Sequence, residues 1–409
     1  MGFKDFRFVM VVLIVVLTIG VGFVTAVDGG QGPVREVRLN ASDPVPDAEF
    51  GRSVAIDGNL AAVGAGGADA GTVAKAGAVY LYKRQGQDYV YEEKLVAPDA
   101  SKGAEFGRAV AIQGNMVIVG ARFAQVGELD KAGAAYIYRS YGGMWHFEQK
   151  ITSPIPANED NFGRALAVQG DTLVVTARKE KTTADDVGAA YVYVFRDGDW
   201  VFHSKINASD PASNAYFGQS VALSGNVMAV GARNADPNGA GAVYLYRRAG
   251  DDWIEVTKVT PEDGEQEEQY GFCIAVAGNT IAVGARRDNL TATKAGAVYV
   301  YSIKGDSVDL VAKLTANDAE KGDEFGQSVA FAGEILAIGA WKDDKGEGSI
   351  YLFRQIGNQW VQIDKIQASD GSAGDEFGYS LAAFGNHLVT GAHFADSKAG
   401  TAYVIPVRL

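Results

Sequence analysis

A six-residue phrase, Phe50-Gly51-Arg52-Ser53-Val54-Ala55, is written seven times along the chain. It returns at Phe106, Phe162, Phe217, Tyr270, Phe325 and Phe377, in steps of 56, 56, 55, 53, 55 and 52 residues. A period of this size marks a repeat array or propeller, and it overrides the two or three domains that 409 residues would otherwise suggest.

Inside each copy the apolar pattern has period two, which predicts strands. In the first strand Phe50, Arg52, Val54 and Ile56 are expected on one face and Gly51, Ser53 and Ala55 on the other. A bulky face opposite a small face suits sheets stacked closely on one another. Asp57-Gly58-Asn59 then supplies the positive-φ residues of a two-residue hairpin. Leu60 to Ala65 forms a second strand ending in Gly-Ala, and Gly77 to Tyr82 a third. The fourth opens on an aromatic and ends on a basic-apolar pair, as in Trp145 before Lys150-Ile151 and Trp253 before Lys258-Val259. Four short antiparallel strands repeated seven times predict an all-β, seven-bladed β-propeller over residues 34–409.

The phase of the repeat predicts how the ring shuts. The last segment, from Tyr403, reads as a third strand, while an orphan fourth strand, Val34 to Leu39, precedes the first Phe-Gly. Arg38-Leu39 stands 56 residues before the equivalent Lys94-Leu95. The N-terminal strand is therefore expected to complete the last blade from outside, removing sheet edges that would invite aggregation.

Residues 1–26 read as a signal peptide: Lys4 and Arg7, an apolar run from Phe8 to Val27, and small residues placing cleavage after Ala26. The run is also long enough to stay as a signal-anchor, which would be the chain's membrane attachment. Residues 27–33 are a short linker. Either reading places the protein outside the cytoplasm, secreted or at the cell surface. A net charge of −13 argues against nucleic acid as a partner. With one cysteine, Cys273, no disulfide forms within the chain. Cys273 stands where other copies carry Ser or Ala, so it reads as a small buried hydrophobe rather than a reactive thiol.

The succession of a Phe-Gly phrase, Gly-Ala and a Val-Tyr strand resembles the FG-GAP repeat family, which includes the propeller of integrin α-subunits and many microbial cell-surface proteins. The resemblance implies the propeller again, an extracellular setting, and a role in adhesion or ligand binding; fold alone does not decide function. Two departures matter. The residue after Gly-Ala is never Pro but Gly66, Arg122, Arg178, Arg233, Arg286, Trp341 or His393. And where integrin-like repeats carry an Asp-rich calcium loop, this chain has only the Gly-Asn turn, too short to wrap a cation.

Strand order sends the long, variable loops, such as 67–76, 123–131 and 179–187, to one rim, where binding is expected. The ligand-binding candidates are Arg52, Arg108 and Arg164 on first strands, with Arg122, Arg178, Arg233, Arg286, Trp341 and His393 at the ends of second strands. Such arginines could receive an anionic ligand, a carboxylate-rich glycan or an acidic side chain. Alternatively each pairs with a neighbouring acid, as Glu49 and Glu105 three residues before Arg52 and Arg108 suggest. Asn234, Asp236 and Asn238 mimic the start of a calcium loop, but Leu245 stands where the closing Glu belongs, and a plain turn is the competing reading. No other cofactor is expected. The four histidines share no metal-ligand spacing, and no nucleophile elbow or phosphate loop occurs. Asp43, Asp210, Asp318 and Asp370 could supply a glycosidase pair, although acids recurring once per blade suggest a structural role repeated by symmetry. Sequons at Asn40, Asn207 and Asn289 are candidate glycosylation sites.

The expectation is an exported, non-enzymatic protein that binds a protein or glycan through its long-loop face. A secreted carbohydrate-active hydrolase or lyase, and a structural cell-surface or assembly subunit, are the alternatives.

Overall fold

Tight hairpins form because a two-residue turn containing Gly follows the first strand of every blade and the third strand of the first six. In β2 (Phe50–Asp57) and β3 (Leu60–Ala65), Asp57 pairs with Leu60, leaving Gly58-Asn59 as the turn with Gly58 at φ +58°. The third and fourth strands, β4 (Ala78–Gln85) and β5 (Asp88–Leu95), make the second hairpin. β6 to β25 repeat this pattern in five more blades over residues 106–366. The computed structural model describes residues 35–235 and 238–408. The expected signal peptide with its cleavage at Ala26, the linker at 27–33, and Asp236 lie outside the described residues.

The last blade closes the ring as the repeat phase predicts. β26 (Phe377–Phe384), β27 (His387–Ala392) and β28 (Thr401–Pro406) are joined by β1 (Val37–Leu39) in the order β1-β28-β27-β26. β1 runs antiparallel to β28, with Arg38 opposite Tyr403 and Leu39 opposite Ala402. The described residues thus form seven four-stranded antiparallel sheets, an all-β propeller.

Two features of the repeat hold neighbouring blades together. The Phe of each phrase is sealed in the core, with Phe50 edge-on to Tyr80 at 5.4 Å and Phe377 to Tyr403 at 5.4 Å. Its backbone N–H donates to the preceding blade: Phe106 N to Ala76 O at 3.0 Å, Phe217 N to Val187 O at 2.8 Å, Phe325 N to Ala295 O at 2.8 Å. The glycine after it permits this approach. Gly107 sits at φ +89°, and a Cβ there would collide with the Ala78 carbonyl of the neighbouring blade. The Gly of the Gly-Ala phrase has the same duty from the other side, since a Cβ on Gly64 would collide with the Gly107 carbonyl. Hydroxyls add a further tie where they occur: Ser53 Oγ donates to Gly107 O at 2.7 Å and Ser328 Oγ to Gly378 O at 2.7 Å.

The strict alternation expected of the first strand does not hold. Phe50 pairs with Ala65 and Ser53 with Gly64, so Gly51 and Arg52 are extra residues in a bulge, and the same shift recurs in every blade. The bulge separates the fates of residues two apart. Phe50 enters the blade's core, while Arg52 lines the cavity on the ring axis.

Candidate functional site

The bulge places the third residue of every phrase at the axis. Arg52, Arg108, Arg164, Gln219, Phe272, Gln327 and Tyr379, with the residues next to them, line a cavity of about 250 Å³. A second tier stands at the ends of the second strands. These are Arg122, Arg178, Arg233, Arg286, Trp341 and His393, the residues that follow Gly-Ala or, in the third blade, Thr176-Ala177. Of a third tier only Glu49 and Glu105 were singled out from the sequence, although position identifies every member. Immediately before each phrase lies Glu49, Glu105, Asn161, Tyr216, Gln269, Glu324 or Glu376, each held at a positive φ between 52° and 60° or, for Glu376, at 65°.

This third tier decides how each second-tier residue is neutralised. Arg122 makes a two-pronged contact with Glu105, Nε to Oε2 at 2.7 Å and Nη2 to Oε1 at 3.0 Å. Trp341 Nε1 donates to Glu324 at 3.1 Å, and His393 Nε2 lies 3.3 Å from Glu376. Arg286 donates to Gln269 at 2.7 Å and reaches Glu324 of the next blade at 3.3 Å. Arg178 and Arg233 have no carboxylate within ion-pair distance among the described residues. Arg178 donates to Gln219 at 3.2 Å, and both guanidinium groups lie over the Tyr216 ring, at 5.4 and 4.8 Å.

The axial arginines divide in the same way. Arg52 is paired with Glu49 at 2.7 Å, whereas Arg108 comes only within 3.9 Å of Glu105, whose fork is committed to Arg122. Arg164 has neither an ion pair nor a hydrogen-bond acceptor among the described residues, and its Nε is shut off from solvent. The expectation that an arginine pairs with the acid three residues earlier is met by a hydrogen-bonded pair at Arg52 and by a long 3.9 Å ion pair at Arg108.

Burial and crowding leave their mark on these groups. Burial pushes the Arg164 guanidinium well below its ordinary range, with Arg108, Arg178 and Arg122 adding to it. Burial, then Arg233 and Arg122, lower Arg178 to about 10. Guanidinium groups nevertheless stay protonated in proteins, so these shifts register lost hydration first and mutual repulsion second rather than loss of charge. Burial tends to raise Glu105, but the Arg122 fork outweighs it and holds the carboxyl below its usual range. His393 is driven down to about 2 by burial and by Arg52 and Arg108, and is neutral.

The acids considered for a glycosidase pair are engaged in a structural motif, one per blade. Asp43 accepts from Tyr80 Oη at 2.7 Å and Lys94 Nζ at 2.7 Å. Asp210 does the same with Tyr244 at 2.6 Å and Lys258 at 2.7 Å, and Asp318 accepts from Lys365 at 2.8 Å. In the closing blade Asp370 holds Tyr403 at 2.8 Å and, in place of the lysine, Arg38 of β1 at 2.6 Å. The third blade substitutes Glu180, which takes Tyr191 and Lys205.

The remaining sequence candidates are dispersed. Cys273 lines the cavity and donates its thiol to Gly326 O at 3.1 Å, as the serines of other blades do. Asn234 and Asn238 flank the undescribed Asp236, and no cluster of three metal-ligating acids, histidines or cysteines occurs among the described residues. Asn40, Asn207 and Asn289 are all exposed, though Asn40 Oδ1 accepts from Thr401 at 2.8 Å and Asn289 Oδ1 from Lys294 N at 2.9 Å.

Seven four-stranded blades around a cavity lined by arginines define a β-propeller with a basic axial site. The FG-GAP repeat matches residues 34–82, 89–138, 145–193, 200–246, 253–301, 308–353 and 360–405. The chain belongs to the FG-GAP repeat family. Each matched unit contains the outer strand of one blade and the three inner strands of the next, so repeat and blade are one strand out of phase. A comparison with curated proteins finds no match.

Proposed function

We propose that the protein is an exported, non-enzymatic binding or adhesion module that engages a protein or glycan through its long-loop rim. One observation carries this reading. All loops between second and third strands, and between one blade and the next, gather on one rim; the former differ in length and sequence from blade to blade, and the latter keep a length of ten residues while differing in sequence. The opposite rim consists of near-identical tight turns. A rigid ring presenting varied loops on one side is suited to recognition.

Two further observations support a binding rather than a hydrolytic role. The once-per-blade acids are committed to tyrosine and lysine partners, which hold Asp43, Asp210 and Asp318 below the ordinary carboxylate range against the raising effect of burial. An acid catalyst needs the opposite shift. The axial cavity is also small, about 250 Å³ against the ~300–1,000 Å³ of sites that enclose drug-sized ligands.

The test is a glycan-array and surface-protein binding screen on residues 27–409. It is repeated with a variant in which loop 123–131 is replaced by a short Gly-Asn turn and with the double variant Arg108→Gln, Arg122→Gln. Binding that is lost with the loop supports the reading. Binding that survives the loop replacement, or turnover of a bound glycan, refutes it.

A further inference from the structure

The residue before each Phe-Gly phrase alternates between acid and neutral in a pattern that maps onto the ring. Blades one, two, six and seven carry Glu49, Glu105, Glu324 and Glu376; blades three, four and five carry Asn161, Tyr216 and Gln269. All seven occupy the same left-handed backbone position. Yet the cations do not follow. The second-tier arginines are Arg122, Arg178, Arg233 and Arg286, so three of four stand in blades whose own acid has been replaced.

The consequence is an uncompensated sector. Glu49 is used by Arg52, Glu105 by Arg122, and Glu324 by Arg286, Lys342 and Trp341. Asp186, the acid that influences Arg178, is paired with Lys179 at 3.3 Å. Arg164, Arg178 and Arg233 are left without a carboxylate among the described residues, and the Nε of each is closed to solvent without an acceptor. Arg108, at 3.9 Å from an acid already committed, borders the same sector. Arg108 and Arg164 line the axial cavity, while Arg178 stands behind its wall, donating to the lining Gln219 at 3.2 Å and sharing the Tyr216 ring with Arg233; like charges held this close repel one another, the more so where burial weakens screening.

We infer that Arg164 and Arg108 on the cavity wall, with Arg178 and Arg233 behind it, form a binding site for an oxyanion that takes the place of the carboxylates missing from blades three and four. Guanidinium forks match groups that present two adjacent oxygens, such as carboxylates and sulfates. The cavity admits one small anion or one acidic sugar residue, not a folded segment. The group arrives either as a free inorganic anion or as the carboxylate of a uronic acid. This goes beyond the loop-rim reading and does not depend on it.

The experiment uses the propeller, residues 27–409, in chloride-poor buffer at neutral pH. Thermal melts and calorimetry follow titration with sodium sulfate or sodium glucuronate against sodium chloride at matched ionic strength. The expected result is a saturable rise in Tm of a few degrees above the chloride control. A rise with sulfate alone identifies a free inorganic anion, and a rise with glucuronate identifies a sugar carboxylate. Asn161→Glu restores the internal acid that four other blades carry. It should raise Tm without added anion and abolish the response, while Arg164→Gln abolishes the response and Arg35→Gln, on the exposed surface, leaves it intact. The inference is overturned if the wild-type protein responds no more than the chloride control, or if Asn161→Glu keeps the full response. Should Arg164→Gln fail to fold, those two measurements still decide. A failed loop-rim screen has no bearing on them, because the readout is the stability of the isolated propeller.

Discussion

Ser380 Oγ donates a hydrogen bond to Gly51 O at 2.7 Å, across 329 residues of sequence. It ties the inner strand of the last blade to that of the first, while β1 seals the same junction from the outside through Arg38 and Leu39. The ring is therefore shut at both its hub and its rim. Leu39 is 1% exposed, and Leu39→Ala should cost about 2–5 kcal/mol. Removing residues 27–40 should lower Tm further and leave Asp370 without its cation. Thermal and urea melts check both, and an unchanged cooperative transition after the deletion would show that the outer closure is unimportant.

Glycines with the same sign of φ should differ in cost according to what surrounds them. Gly107 has φ +89° and a neighbouring carbonyl where a Cβ would go, whereas Gly114 has φ +59° and open space. Gly107→Ala is expected to destabilise by about 3 kcal/mol or more, since strain and an interblade clash combine. Gly114→Ala should cost only the left-handed penalty of ~1–2 kcal/mol. Equal losses in denaturant melts would remove the interblade explanation of the Phe-Gly phrase.

Stability should peak in mildly acidic solution. Burial raises Glu268, with Asp288 adding to it, and burial raises Glu376, each to about 7. A raised carboxyl contributes stability that is complete below its unfolded pKa and is lost as pH rises through the folded value. The blade acids Asp43, Asp99, Asp210, Asp263 and Asp318 are lowered despite burial, because their lysine and tyrosine partners outweigh it. Their contribution is complete above the ordinary aspartate range and is lost as pH falls below it. Tm should therefore be higher at about pH 5.5 than at about pH 8, and fall again below about pH 4. Glu268→Gln should flatten the alkaline limb; a limb unchanged by it would assign the effect elsewhere.

Cys273 should behave as a structural residue. Burial pushes its thiol up to about 12, and its hydrogen bond to Gly326 O copies the one Ser220 makes to Gly271 O at 2.9 Å. Alkylation of the folded protein at neutral pH should be at least ~100-fold slower than in denaturant, because the thiolate is the reactive form. Cys273→Ser should change stability by less than ~1 kcal/mol, since it keeps the donor. Rapid labelling of the native protein would contradict this.

The architecture was legible because it depends on local signals multiplied by repetition. Gly58-Asn59 turns, Phe50-Gly51 phrases and the misplaced Arg38-Leu39 strand each mean little alone, but their spacing defines blade number and closure. The bulge at Gly51-Arg52 was not legible, because a two-residue register shift leaves the apolar alternation unchanged on either side. That shift, rather than side-chain type, brings Arg52, Arg108 and Arg164 to the axis. The pairing pattern was half legible. Glu105 sits three residues from Arg108, yet its carboxylate turns to Arg122, 17 residues on, because the bulge and the Gly-Ala strand end converge there. The uncompensated sector is written in the sequence itself, where Asn161, Tyr216 and Gln269 align with the glutamates of other copies.

The pairing of β1 with β28 also sets an order of events during biogenesis. β1 can find its partner only after the intervening ~360 residues have been made, and such distant contacts form slowly. Every other blade is complete in itself and can be added to its predecessor as it is synthesised, through the bridge from its Phe or Tyr N–H. β1 alone must wait, made first and left unpaired until the final blade follows it. Of all the strands, it is the one whose bare edge a chaperone has longest to meet.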